Sequence, residues 1–314
     1  MTPIRGPKYG TPEWLSLRSY DENRAEPAII SASHAATVCG VSEYQTPFEF
    51  YLRFLGQLPP IEDNSKMRIG RKMESVILSE YGIQFDRDVS IDSCVFFHPE
   101  LPFIAATPDC FGRKLMSDPW FPVDSKHTGS RRFRSAYGDE GTDEIPVDYL
   151  MQANCQMLVC DADRQETVVF VDGELKLFEI ERSQELCDAI IESFREMKER
   201  LINRDPPEPD YTHNSTVEIV KEIQKSGTGG VIDLPQDIVD AYVESKRIGS
   251  EINKLEKQRD LLKSRVQYYM RDHSTGVFPG GSAEIVKREV TMPGGYRDGY
   301  SYYRLDQKKR GKPK

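Results

Sequence analysis

The chain has 314 residues and a formal net charge of −9, which allows one large domain or one domain with an appendage. Its 38% apolar residues, including 15 tyrosines and 14 phenylalanines among the aromatics and near-aromatics, exclude disorder of the whole chain. No apolar run nears the ~18–20 residues of a membrane-spanning helix, and residues 1–10 lack the apolar stretch of a secretory signal.

Residues 1–205 read as one compact unit in which strand-like and helix-like stretches alternate. Within it, MRIGRKMESVILSEY at 67–81 has helical period, with Ile69, Met73, Val76, Ile77 and Tyr81 on one broad face. Residues 103–106 and 121–123 are apolar runs suited to short buried strands. YLMQANCQMLV at 149–159 predicts a second helix. Tyr149, Gln152 and Gln156 share one stripe of it, opposite Leu150, Ala153, Met157 and Leu158. NRDPPEPD at 203–210 ends a helix and opens a stiff linker, expected over 206–235. Over 236–273, Ile248, Ile252, Leu255, Leu262, Val266 and Tyr269 follow heptad spacing that Arg259 interrupts. A long helix on its own domain, a helical hairpin and an intermolecular coiled coil all fit this pattern. Residues 274–314 predict short strands and a basic tail. Arg304, Lys308, Lys309, Arg310, Lys312 and Lys314 stand there against one acid, Asp306, and glycine and proline at 311 and 313 predict a mobile end.

The six cysteines form no C-x-x-C pair, which excludes a zinc ribbon and an iron–sulfur pattern. They are expected to be reduced, in a cytosolic protein. An acidic chain argues at first against nucleic acid. A metal-dependent phosphodiesterase, however, concentrates carboxylates at its site, and a basic groove can coexist with an acidic exterior.

The chemistry centres on FHPELPFIAATPD at 97–109 and FPVDSK at 121–126. Asp109 falls just past a strand. Asp124 and Lys126, two apart on the next strand, point to one side of it. Two carboxylates and an ammonium would then converge. Hard carboxylate oxygens suit Mg²⁺ or Mn²⁺, which lowers the pKa of bound water, and a neighbouring lysine can orient that water and neutralise developing charge. Asp-x-Lys also arises in ordinary surface ion pairs, so a turn followed by a surface strand is the competing reading. Glu74, on the stripe of Ile77 and Tyr81, adds a third carboxylate at the edge of a buried face, a costly place unless paired or metal-bound. Glu80 shares no such stripe and is expected in solvent. The stripe of Tyr149, Gln152 and Gln156 could hydrogen-bond the lysine, a water or a phosphate, or be a polar half-exposed face.

In this order, Glu74, Thr-Pro-Asp109, Asp124-Ser-Lys126 and Tyr149-x-x-Gln152-x-x-x-Gln156 resemble the PD-(D/E)XK nucleases. The similarity is greatest to the YqaJ-type viral recombinases, the group of the phage lambda exonuclease. EWLSLR at 13–18, ISASHAA at 30–36 and VSEYQTPFEFY at 41–51 are similar to three further segments of that group. The likeness covers about residues 13–205. Asp124 stands where many relatives have Glu, and His34 where Asp or Glu is usual. The C-terminal third is only loosely alike.

The resemblance implies an α/β (α+β) protein with a restriction-endonuclease-like core, a central mixed sheet flanked by helices and a C-terminal helical extension. It implies a 5′-to-3′ exonuclease that resects linear duplex DNA and leaves 3′ overhangs for a single-strand annealing protein. Glu74, Asp109, Asp124 and the main-chain carbonyl of Ser125 would hold two Mg²⁺, replaceable by Mn²⁺. Lys126 would orient the water, supported by Tyr149, Gln152 and Gln156. Arg18 and Ser33 would receive the 5′-phosphate. A ring-shaped homotrimer and a phage-derived protein in a bacterial host cytoplasm, with no membrane partner, complete the expectation. An endonuclease on the same core and a catalytically silent DNA-end-binding protein are the alternatives.

Overall fold

The alternation in FPVDSKH places the centre of the fold. Phe121 and Val123 face one way, Asp124 and Lys126 the other, as residues of a strand must. In the computed structural model, which describes residues 3–8, 10–18, 29–59, 61–223, 229–281, 283–292 and 300–309, this run is β7 (Phe121–His127), the middle strand of a five-stranded sheet. Numbering strands along the chain, the order is β3 (Asp88–Ser90), β6 (Cys110–Arg113), β7, β8 (Arg164–Val171), β9 (Glu174–Glu181). β7 and β8 are parallel and the other pairs antiparallel. A parallel pair needs a crossover, and helix α6 (Val147–Cys160) lies in that connection.

A second sheet has the order β1 (Ile4–Lys8), β4 (Cys94–Phe97), β5 (Ile104–Ala106), β2 (Ile30–Ser31). β4 follows β3 by three residues and β6 follows β5 by three, so each run bends from one sheet into the other. The second bend is Thr107-Pro108-Asp109. Proline cannot donate to a ladder, and the break sets Asp109 beside β7, where its N–H donates to the Val123 carbonyl at 3.1 Å. With the paired halves read as single strands, α4 (Ser65–Gln84), three strands, α6 and β8 follow one another in the order αβββαβ.

Helices cover both faces of the central sheet. On one side Ile77, Leu78 and Tyr81 of α4 pack on Cys110, Phe121, Val123, Val168 and Leu177. On the other, Ala153 and Met157 of α6 pack on Val169, Phe178 and Ile180. The outer side of α6 meets the short helix α2 (Ala35–Val38), α3 (Pro47–Phe54) and α7 (Gln184–Asn203) in a larger cluster containing Ile30, Phe50, Ile104, Cys155 and Phe194. The expected broad apolar face of α4 is narrower than its periodicity implied. Ile69 and Val76 are exposed, and Leu78 takes part in the core instead. All six cysteines are free thiols.

The stretch expected as a linker, 206–235, contains α8 (Asn214–Ile223), with Thr216 and Ile219 buried. Its apolar residues Val217, Ile219, Val220 and Ile223 are too few to outweigh the surrounding Pro and Gly in a reading by composition. The chain divides into compact units 1–227 and 228–314. In the second unit, α9 (Gln236–Met270) is one uninterrupted helix rather than a hairpin. It is followed by β10 (Thr275–Val277), β11 (Ala283–Met292) and β12 (Tyr300–Lys309), which form an antiparallel sheet. Arg304, Lys308 and Lys309, expected in a mobile tail, lie in β12, where the Tyr-rich run YSYY supplies β-propensity. Arg310, Lys312 and Lys314 lie outside the described residues. Among the described residues no helix is long and apolar enough to cross a membrane.

Candidate active site

β7 brings the acidic and basic candidates together. Lys126 Nζ forms an ion pair with Asp124 Oδ2. Asp124 is buried, and its Oδ1 accepts from Gln152 Nε2 and Gln156 Nε2, both at 3.3 Å. Gln152 Oε1 also accepts from Lys126 Nζ at 3.4 Å, and the ammonium lies 4.7 Å from the centre of the Tyr149 ring. The stripe of α6 residues therefore faces the strand: Gln152 and Tyr149 touch the lysine, and Gln156 touches Asp124. Asp109 is tied to the same strand. Its Oδ2 accepts from the Ser125 N–H at 2.7 Å and from Ser125 Oγ at 2.8 Å.

The charges at this edge perturb one another. Burial pushes the Asp109 carboxyl up to about 7, with Asp124 adding to the rise and Lys126 opposing it. Burial also raises Glu74 above the usual carboxylate range, again with help from Asp124 and against Lys126. Burial presses Lys126 toward deprotonation, but Asp124 and Asp109 outweigh it and hold the ammonium above its ordinary range. Lys126 is thus held as the charged ammonium.

Carboxyls pushed up by burial and a neighbouring carboxylate, as Glu74 and Asp109 are, suit a hard divalent cation, which favours the ionised form and oxygen ligands. Glu74, Asp109 and Asp124 fit that chemistry. Among the described residues, no three His, Cys, Asp or Glu side chains close around a single point at ligand distance. Both Asp124 oxygens are already engaged by Lys126, Gln152 and Gln156, so ligation by Asp124 requires Lys126 to shift.

Beside this cluster opens a cavity lined by Trp14, Ser31, Ser33, Thr107, Gln152 and Gln156, among others. Ser33 reaches it because the ASH segment at 32–34 forms a 3₁₀ turn after β2. Ser31 Oγ lies 2.8 Å from Ser33 Oγ and 3.2 Å from His34 Nδ1, so His34 supports the serine pair. Gln156 Oε1 is buried with no hydrogen-bond partner. Arg18 is the last residue of helix α1 (Pro12–Arg18), and its side chain lies outside the described residues. Ser31 and Thr107 were not singled out by the sequence, although both sit within the segments that carried the resemblance.

A buried network behind β7 also escaped the sequence. Glu166 of β8 is fully buried. It accepts from Tyr81 Oη at 2.6 Å and pairs with Arg87, whose Nη2 is 3.0 Å from Oε1. Gly112 leaves room for this: a Cβ there would meet Tyr81 Oη at 2.7 Å and Val123 Cγ2 at 3.0 Å. The network locks the C-terminal turns of α4 to the sheet and so fixes the helix that carries Glu74. Glu166→Gln keeps an acceptor for Tyr81 but leaves Arg87 unpaired, so it should lower the unfolding free energy by about 3–5 kcal/mol. Urea unfolding checks this; an unchanged midpoint would remove the network from the stability of the core.

Residues 13–163 match the model of the YqaJ-like viral recombinase domain. The Bacillus subtilis (strain 168) protein YqaJ is 25% identical over 254 residues, covering 79% of this chain and 76% of that protein. An alkaline exonuclease from Laribacter hongkongensis has 17% identity and a TM-score of 0.46, over 68% of this chain and 99% of the other. A phage-related exonuclease from Haemophilus somnus 129PT has 14% identity and a TM-score of 0.42, over 55% and 93%. The match to the YqaJ-like viral recombinase domain spans residues 13–163, the part of the chain that carries Glu74, Asp109, Asp124, Lys126 and the α6 stripe.

Proposed function

We propose that the protein is a metal-dependent exonuclease that resects linear duplex DNA from its 5′ ends and leaves 3′ single-stranded overhangs. The observation that carries this reading is the Lys126 ammonium held against Asp124, with Asp109 tied to the same strand, at the mouth of a cavity lined by Ser33, Gln152 and Gln156. Lys126, protonated, orients the attacking water and offsets the negative charge that builds on the phosphoryl oxygens. Gln152 touches both Lys126 and Asp124, so it can keep the lysine near the strand when Lys126 shifts to free Asp124 for the metal. Glu74, Asp109, Asp124 and the Ser125 main-chain carbonyl would hold Mg²⁺, one or two ions, with Mn²⁺ as a substitute. The bound metal supplies Lewis-acid activation of water and of the scissile phosphate. Ser33 and Arg18 receive the terminal 5′-phosphate; an arginine can grip it bidentately.

The overhang would pass to a single-strand annealing protein in the host cytoplasm. A closed ring of three copies would suit retention on DNA.

Linear and covalently closed duplexes, with 5′-phosphate or 5′-hydroxyl ends and Mg²⁺ with or without EDTA, test this reading. Loss of linear duplex only, faster from phosphorylated ends and abolished by EDTA, is expected. Cutting of closed circles would mean an endonuclease, and activity in EDTA would remove the metal. Arg18→Ala should lower the rate on phosphorylated ends at least ~10-fold, as befits a charge-assisted contact of ~1.5–3 kcal/mol, and change the rate on hydroxyl ends little. Equal losses on both ends would remove Arg18 from phosphate binding.

A further inference from the structure

α9 is 35 residues long, about 52 Å at 1.5 Å per residue, and Met270 is its one buried residue. Helices such as α6 and α7 bury their apolar faces; α9 does not. Along its heptad seam Ile252 is 51% exposed, Leu255 58% and Leu262 63%. Leu255, Leu262 and Val266 line an open groove with Ile285 of β11. A continuous apolar seam in water marks a docking surface, and heptad spacing suits a second helix.

The charges on α9 indicate which helix and in which direction. Residues 236–253 carry four acids and two bases, whereas residues 254–270 carry two acids and five bases. Side by side in parallel, two copies would set like halves together and Arg259 against its own counterpart. Reversed, they set the acidic half of each on the basic half of the other. Pairing about residue 257 then layers Ile252 on Leu262, Ile248 on Val266 and Leu255 on Arg259, with Glu251 beside Arg265. Near the centre, the Glu256–Arg259 ion pair, 3.5 Å within the helix, meets the same pair of the second copy. The four charges can alternate there, which accounts for an arginine within an apolar seam; a polar seam residue is a known determinant of register and orientation.

We propose that α9 docks antiparallel along the α9 seam of a second copy of this chain, with Ile252 against Leu262 and the acidic half of each helix on the basic half of the other. No nuclease chemistry enters this inference.

Disulfide trapping in the full-length chain tests it. A tagged Ile252→Cys chain is mixed with an untagged Leu262→Cys chain, oxidised mildly, and resolved without reductant; only species absent from the natural chain count. The expected product is the mixed dimer, with neither single variant linking to itself. Adding Leu255→Asp to both chains should lower the mixed-dimer yield at least ~10-fold, because it places a carboxylate in the seam, with circular dichroism unchanged. Self-linked Ile252→Cys dimers would mean parallel pairing and would overturn the proposal, as would the absence of cross-links in every combination.

Discussion

Replacing Lys126 by alanine is expected to slow DNA cleavage by at least ~10²-fold while leaving duplex affinity nearly unchanged. The ammonium is held by Asp124, by Gln152 at 3.4 Å and by the Tyr149 ring at 4.7 Å, and the last two contacts can still position it once Asp124 turns to the metal. Its attraction for the phosphate grows as charge accumulates in the transition state, and an interaction of that kind appears in turnover rather than in binding. The substitution has a second effect. Lys126 opposes the rise in proton affinity of Asp109 and Glu74, so its loss should move both carboxyls further up and shift Mn²⁺ binding to higher pH. Turnover at saturating DNA and calorimetric Mn²⁺ titrations at several pH values measure both. A folded variant with wild-type turnover would exclude Lys126 from the reaction.

Asp109→Asn should have opposite effects on function and stability. It removes a ligand candidate, so activity and Mn²⁺ affinity should both fall at least ~10²-fold, as for other catalytic charges. It also removes a buried charge whose neighbours repel it. The Asp109 carboxyl titrates at about 7 in the folded chain, above its ordinary 3.8. Between these values the unfolded chain is ionised there while the native chain still holds the proton. Native stability therefore declines as pH rises from about 4 to about 7, and the penalty is complete above 7. Asparagine does not titrate and retains an oxygen for the Ser125 N–H. Without divalent metal the variant should exceed the natural chain by up to about 4 kcal/mol at pH 8, and the gap should close toward pH 4. Thermal unfolding across this range, with and without Mn²⁺, is the measurement. A gap that ignores pH, or unchanged Mn²⁺ affinity, would contradict the assignment.

Local periodicity accounts for what was legible in the sequence. Asp124 and Lys126 meet because a strand repeats every two residues, and Tyr149, Gln152 and Gln156 face them because a helix repeats every 3.6. Asp109 was legible from Pro108 and the apolar run before it. Glu166 was not: it sits in RQETVVFV, a strand with no outward sign that its carboxylate is buried, and its partners Tyr81 and Arg87 are 85 and 79 positions away. Long-range pairing leaves no periodic trace. Composition misread 206–235 as linker throughout, because Pro and Gly at its ends mask the ten residues of α8. The basic end was misjudged for the converse reason, since charge drew attention from the tyrosines that make β12.

The hairpin of β6 and β7 divides the chain's tolerance of length changes sharply. Residues 114–120 between the two strands are mostly exposed, with Leu115 and Met116 at 64% and 77%, so extra residues there can loop into solvent. One residue added after Phe121 would instead turn Asp124 and Lys126 to the α4 side of the sheet and bring Val123 and Ser125 to face α6. An epitope or fluorophore tag therefore belongs at 115–117, whereas a single-codon insertion after Phe121 should yield a folded-looking but inert protein.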